Sequence, residues 1–191
     1  MPSHFVLASG SPRRLALLQQ IGEVPDLVVP AGIDESPICN EKPADMAVRL
    51  AVHKAKATAV ENPNAVILGA DTVVACGRRV LPKVQEAREA RRCLELLSGR
   101  RHKVHGGIAI VVASGILWRR QITTTVKFKR LTKKDIDAYV DCGEWQGKAG
   151  GYAIQGRAAV FVSAIRGSYT NVVGLCVYAT ASLLEAARAS Y

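Results

Sequence analysis

Apolar positions along the chain fall into short unbroken runs and helix-spaced repeats, separated by turn residues. The first run, residues 5–8, predicts a buried strand. Ser9-Gly10-Ser11 is turn chemistry, and Pro12 follows a Ser N-cap at the first helical position, where proline is favoured. Leu15, Leu18 and Ile21 then recur at helical spacing, and Gly22 ends the segment. A second strand is predicted over 26–32. Pro43 opens a long alanine-rich helix to 61, closed by Asn62-Pro63-Asn64. Residues 65–70 are continuously apolar, as in a central strand covered on both faces. A helix over 85–97 follows, ended by Ser98-Gly99. Two strand-like stretches, 102–113 and 116–130, flank Ser114-Gly115 as a hairpin turn. Thr132 is the candidate N-cap of a helix to 142. A glycine-rich stretch then leads to a strand near 159–165 and a last helix over 174–189. Alternating strands and helices with one antiparallel pair predict an α/β fold with a mixed sheet.

Composition narrows the class. Of 191 residues, 49% are hydrophobic and 22% charged, the profile of a soluble globular protein. No apolar run approaches the roughly 18 residues that cross a membrane, so no membrane partner is expected. The amino terminus has a short apolar stretch before its Arg pair, the reverse of a secretory signal, which predicts a cytoplasmic chain. Five scattered cysteines without CxxC spacing predict neither a disulfide framework nor a structural zinc site, but small buried hydrophobes. The net charge of +10 favours polyanionic partners. Aromatic residues are only 5%, which disfavours base stacking and a stable nucleic-acid complex. Charge alone leaves a nucleotide enzyme and a nucleic-acid module both open.

Three groups of residues carry candidate chemistry. In Ser9-Gly10-Ser11-Pro12-Arg13-Arg14, a strand, a glycine turn and a helix start leave backbone N–H groups pointing outward at the positive end of the helix dipole. Two arginines are electrostatically misplaced there, and a bound anion resolves the conflict; arginines turned into water are the plainer alternative. Asp71 follows the apolar run 65–70, where a buried carboxylate is costly unless it is paired, metal-bound or open to a cleft. It is the leading candidate for a metal ligand or general base, with a turn-capping carboxylate as the alternative. Lys54 shares a helix face with Leu50 and Ala51 and points toward core or cleft, unless it snorkels to solvent. Lys83 follows closely after the Asp71 strand, and Asp34-Glu35 offers oxygen ligands for a magnesium-type ion. Together these are phosphoryl-transfer equipment. Neither GxxxxGK[ST], GxGxxG nor GxSxG occurs, and His102 with His105 forms an HxxH that lacks a third ligand nearby.

At these residues the chain resembles the Maf family. Leu7-Ala8-Ser9-Gly10-Ser11-Pro12-Arg13-Arg14 is similar to the family's opening LASxSPRR. The likeness continues through Asp34-Glu35, Lys54-Ala55, Gly69-Ala70-Asp71-Thr72-Val73-Val74 and Leu96-Leu97-Ser98-Gly99-Arg100 with His102. It ends with the run from Lys148 to Gly156 and with Ser168-Tyr169-Thr170-Asn171-Val172-Val173-Gly174-Leu175, all in the family's order. The resemblance implies a Maf/ITPase-like fold over 1–191, one domain of two lobes around a central cleft, with a mixed, twisted β-sheet flanked by helices. It implies hydrolysis of a nucleoside triphosphate between the α and β phosphates, with magnesium or manganese. By position, Asp71 would activate water and touch the metal, which Glu35 would help to hold. Lys54 and Lys83 would hold the triphosphate and the departing pyrophosphate. Ser9, Ser11 and Arg14 would bind substrate, and Arg13, Thr72 and Gln155 would select the base. Pro12 running directly into Arg13 and the amide of Gln155 resemble the dTTP/UTP subgroup rather than the 7-methyl-GTP subgroup, since an amide offers both donor and acceptor to a pyrimidine edge. Homodimers and a septum association are family traits. Two departures stand out. The usual GEPxDKAG is Gly143-Glu144-Trp145-Gln146-Gly147-Lys148-Ala149-Gly150, and the usual LGKP is Leu81-Pro82-Lys83-Val84. Loss of the aspartate predicts lower rate or metal affinity, and a nucleotide-binding protein with little turnover is the alternative to the enzyme.

Overall fold

The computed structural model describes residues 4–189. Its frame is a seven-stranded sheet built on β3 (Ala65–Cys76), the apolar run predicted at 65–70 extended through Asp71. On one side β3 pairs in parallel with β1 (His4–Ala8), which pairs in parallel with β2 (Leu27–Val28). On the other it runs antiparallel to β5 (Arg101–Val111), then β6 (Leu117–Phe128) and the edge strand β7 (Val162–Arg166). A short β4 (Arg79–Leu81) folds back on the far end of β3, an element the apolar pattern did not reveal. The mixed sheet of an α/β protein is therefore present.

The helix α2 (Pro43–Glu61) lies on one face. Its alanines pack on Val6, Ala8, Ile67 and Ala109. It comes so close that a Cβ on Gly69 would run into the Ala51 carbonyl and Ala55, and a Cβ on Gly107 into the backbone of Ala47 and Val48. The opposite face carries the larger core. Leu7, Leu68, Ala70, Val104, Ile108 and Ile110 meet α1 (Pro12–Gln20), α3 (Ala87–Leu97), α4 (Lys133–Asp141) and α6 (Val177–Arg188) there. Burial of this apolar surface is the main stabilising term.

Most predicted boundaries are met. The Thr132 cap is a full capping box with Asp135, and Gly115 (φ 80°) turns the β5–β6 hairpin. Ser11 does stand at the start of α1, although its side chain makes no capping bond. Four expectations need correction. The strand at 26–32 shrinks to Leu27–Val28, because Pro30 and Gly32 interrupt the ladder. Residues 157–161 form a 3-10 turn before β7. The last helix is preceded by a separate turn, α5 (Tyr169–Val173), since Gly174 sits at φ 147° and breaks the helical path. Cys93 and Cys176 are buried, but Cys39 is exposed and Cys76 and Cys142 are only partly covered. No described helix is long and apolar enough to cross a membrane.

Candidate active site

Strand β1 stops opposite Gly69, so past it β3 keeps β5 on one side but loses β1 on the other, and it carries Asp71 and Thr72 into a cleft of about 480 Å³. Asp71 therefore lies within a long strand, paired across to Gly107, rather than at a strand end. The chain leaving β1 turns through Ser9-Gly10-Ser11 into α1, whose first turn forms one wall of the cleft. Here the two arginines part company. Arg14 is buried and donates Nε to the Gly174 carbonyl at 2.9 Å, Nη1 to Ser9 Oγ at 2.9 Å and Nη2 to Thr72 Oγ1 at 3.1 Å. Burial pushes its pKa down, and the charge of Asp71 acts in the other direction. Three of its five N–H donors are thus spent inside the protein. Ser9 Oγ also accepts the Ser11 N–H, and Thr72 Oγ1 donates to the Gly174 carbonyl. Arg13 is half-buried on the cleft wall, and among the described residues its guanidinium has no hydrogen bond or ion pair.

On the floor, opposite charges alternate. Asp71, 4% exposed, accepts from Lys54 Nζ through Oδ1 at 2.6 Å. The same Nζ meets Glu35 Oε1 at 2.6 Å, and Glu35 Oε2 meets Lys83 Nζ at 2.5 Å. Lys54 reaches this point because α2 rests on Gly69 and Gly107, which flank Asp71 along and across the sheet. It points inward, as its helix face predicted, while Asp34 turns away and accepts the Ser36 N–H. Since both carboxylates touch one nitrogen at 2.6 Å, their oxygens converge on the same point of the cleft. Two hard oxygen donors beside a phosphate-sized space suit magnesium or manganese, which keep water and substrate oxygens among their ligands. No cluster of three His, Cys, Asp or Glu residues occurs among the described residues, so most ligands would have to come from water and substrate.

Burial pushes the Glu35 carboxyl up, but hydrogen bonds from Lys54 and Lys83 outweigh it and hold the pKa at about 2, below its ordinary 4.5. A depressed carboxyl contributes stability that is present above its unfolded pKa and lost as the pH falls through its folded one. Glu35→Gln should therefore melt below the native chain above pH 4.5, and the gap should close toward pH 2. Melting curves across that range check this; parallel curves would show that the Glu35 charge contributes nothing.

The model of the family described as Maf-like protein matches residues 4–187. The chain belongs to the Maf family. A Maf relative from Paramagnetospirillum magneticum, named dTTP/UTP pyrophosphatase, is 57% identical over 181 residues, 95% of each chain. One of the same name from Rhodospirillum rubrum is 54% identical over 180 residues, 94% of this chain and 86% of that one. Among solved structures, a HAM1 protein from Coxiella burnetii superposes with a TM-score of 0.52 at 16% identity, covering 96% of this chain and 98% of that one. That likeness concerns the fold.

Both departures from the Maf pattern have a physical setting. Trp145, in place of proline, is buried and donates Nε1 to the Val140 carbonyl at 2.7 Å, tying the loop to the end of α4. Around Lys83, Val84 N–H donates to Lys148, Gly147 N–H to Val84 and Gly150 N–H to Pro82. Pro82 needs no N–H in this arrangement, because only its carbonyl takes part. The two loops thus hold each other, and Lys83 faces Ala149 across the bridge between them.

Gln155 is exposed and lies outside this cleft, in a shallow hollow shared with Arg13, Ala16 and Gln20. The cleft also holds two residues not singled out in the sequence as site residues. Lys148 lines it and donates to the Gln146 carbonyl; burial and the charge of Arg13 lower its pKa. Tyr152 backs the cleft, with its hydroxyl 2.7 Å from His102 Nε2. Burial lowers the His102 pKa to about 4, so the imidazole is neutral near pH 7. The basic lysine within a glycine-rich run was the available signal for Lys148; nothing local pointed to the His102–Tyr152 contact.

Proposed function

We propose that this Maf chain is a nucleoside triphosphate pyrophosphatase that cuts dTTP or UTP into the monophosphate and pyrophosphate. The observation that carries the reading is the chain Asp71–Lys54–Glu35–Lys83 on the floor of a cleft walled by the start of α1. The curated relatives' names support the substrate class. A magnesium or manganese ion held by Glu35 and Asp71 would neutralise phosphate charge and lower the pKa of a bound water.

The protein's own groups divide the remaining work. Lys54 occupies Asp71 Oδ1, leaving Oδ2 to take a proton from water as its oxygen bonds to the α-phosphorus. The bond from that phosphorus to the bridging oxygen breaks, and the electron pair leaves with pyrophosphate. Lys83, with half of its side chain exposed, can exchange Glu35 for the departing phosphates. The Gly10 and Arg13 N–H groups, which no hydrogen bond uses among the described residues, are available to the same anion, whereas Ser9 N–H is spent on Leu7 and Ser11 N–H on Ser9 Oγ. Arg14 holds Ser9 and Thr72 in place, while Arg13, Thr72 and, from the neighbouring hollow, Gln155 select the base. The whole chain works as one unit whose lobes meet along β3, and it does so in the cytoplasm.

Pyrophosphate release with magnesium or manganese should be measured for dTTP, UTP, CTP, GTP, 7-methyl-GTP and ITP. Preference for dTTP and UTP is the expected result. Preference for 7-methyl-GTP would reverse the subgroup, and absence of turnover with any of them would leave a nucleotide-binding protein in place of the enzyme.

A further inference from the structure

We propose that the uncovered face of β5, β6 and β7, remote from the floor of the cleft, is a second anion site that takes a chain of linked phosphates without reading a base. This goes beyond the pyrophosphatase reading and does not depend on it. Helix α2 covers the same face of the sheet only as far as Gly107. At about 3.4 Å per residue, Arg101 lies roughly 20 Å farther along β5. Two adjacent cross-strand rows lie open there, all their residues exposed except the half-buried Thr125. Arg101 stands opposite Lys127, with Ala164 beyond; in the next row come Lys103, Thr125 and Arg166. The four long cations surround the short Ala164 and Thr125, making a hollow of about 890 Å³.

Among the described residues no acidic group pairs with this charge, and no Asp or Glu lines the hollow. Like charges directly opposite on paired strands destabilise a sheet, yet Arg101 and Lys127 are placed so. Guarding a sheet edge against aggregation accounts for Arg166 on β7. It does not account for Arg101 and Lys127, which lie on strands paired on both sides or toward the interior. A multivalent anion does. Side chains two apart on a strand lie about 6.8 Å from each other and neighbouring strands about 4.8 Å, a grid on which linked phosphates can meet several cations at once. No Phe, Tyr or Trp lines the hollow, so there is no platform for stacking a base.

The test is calorimetric titration of the full chain with inorganic tripolyphosphate, and with UTP as a second arm. The native chain should show a salt-sensitive binding event that Lys127→Gln/Arg166→Gln weakens at least about tenfold, with turnover in the cleft unchanged. Equal weakening for both probes means the site reads the phosphate chain alone; weakening for UTP only would mean that a nucleotide is required and would overturn the base-blind claim. Lys127→Gln by itself should weaken binding yet raise Tm by about 1–3 °C, since it removes the opposed charge. A folding defect would lower both, and Arg101→Gln/Lys103→Gln repeats the test from β5. Titrations identical in native and substituted chains would overturn the proposal. So would much tighter binding of an oligonucleotide than of tripolyphosphate, or a substitution that converts a dimer to a monomer.

Discussion

Replacing Asp71 by asparagine is expected to lower pyrophosphate release from dTTP or UTP about 10²–10⁴-fold, the range associated with a positioned general base. The amide has nearly the same shape and can still accept the Lys54 hydrogen bond through its carbonyl oxygen. It cannot take a proton and is a poor ligand for magnesium. Melting temperature should change little by comparison, because Lys54 retains Glu35 as a partner. Initial rates across a range of metal concentrations, read beside a melting curve, separate chemistry from folding. A loss of less than about threefold would remove Asp71 from the proton transfer. If turnover returned at high metal concentration, Asp71 would act mainly through metal affinity.

The second large effect is steric. Gly107→Ala places a methyl group against the Ala47 carbonyl and the Val48 nitrogen, neither of which can swing aside as a side-chain end could. The helix must lift or the strand must bend, at a cost of about 3 kcal/mol. For a chain of this size that lowers Tm by about 6–12 °C. Activity should fall as well, because α2 carries Lys54 and its height over the sheet fixes the distance to Asp71. Gly32→Ala is the matched control, since a Cβ there meets nothing within 4 Å and should leave both properties near native. A Gly107→Ala chain as stable as native would mean that α2 has room to move over the sheet.

Local signals carried much of this arrangement. The apolar run 65–70, the proline-started helices and the Ser114-Gly115 turn are each specified within a few residues, and all were legible. Asp71 stood out because a carboxylate beside such a run requires a reason, and Lys54 because its helix face is otherwise apolar. Partnerships between distant segments were not legible. Arg13 and Arg14 are identical in local sequence terms and both line the cleft, yet the Arg13 guanidinium has no hydrogen bond among the described residues while Arg14 is bound to Gly174 across 160 residues. Gly69 and Gly107 reveal their role only when α2 is seen above them. Strand β4 is three residues long and becomes regular only by pairing with β3. The position of Gln155 in a hollow beside Arg13 was likewise not legible, because its place in the run of residues says nothing about which side of Arg13 it occupies.

The Arg14 fork joins a residue of the first turn, a residue of the central strand and a carbonyl near the carboxyl end. During synthesis, Ser9 and Arg14 leave the ribosome early, but their third partner emerges only after some 160 further residues. At about 5–20 residues per second this interval lasts on the order of ten to thirty seconds. Through that time the turn from Ser9 to Ser11 lacks the clamp that ties it to Gly174. The nascent chain can therefore assemble its sheet beside abundant cellular nucleotides before it possesses a finished grip on any of them.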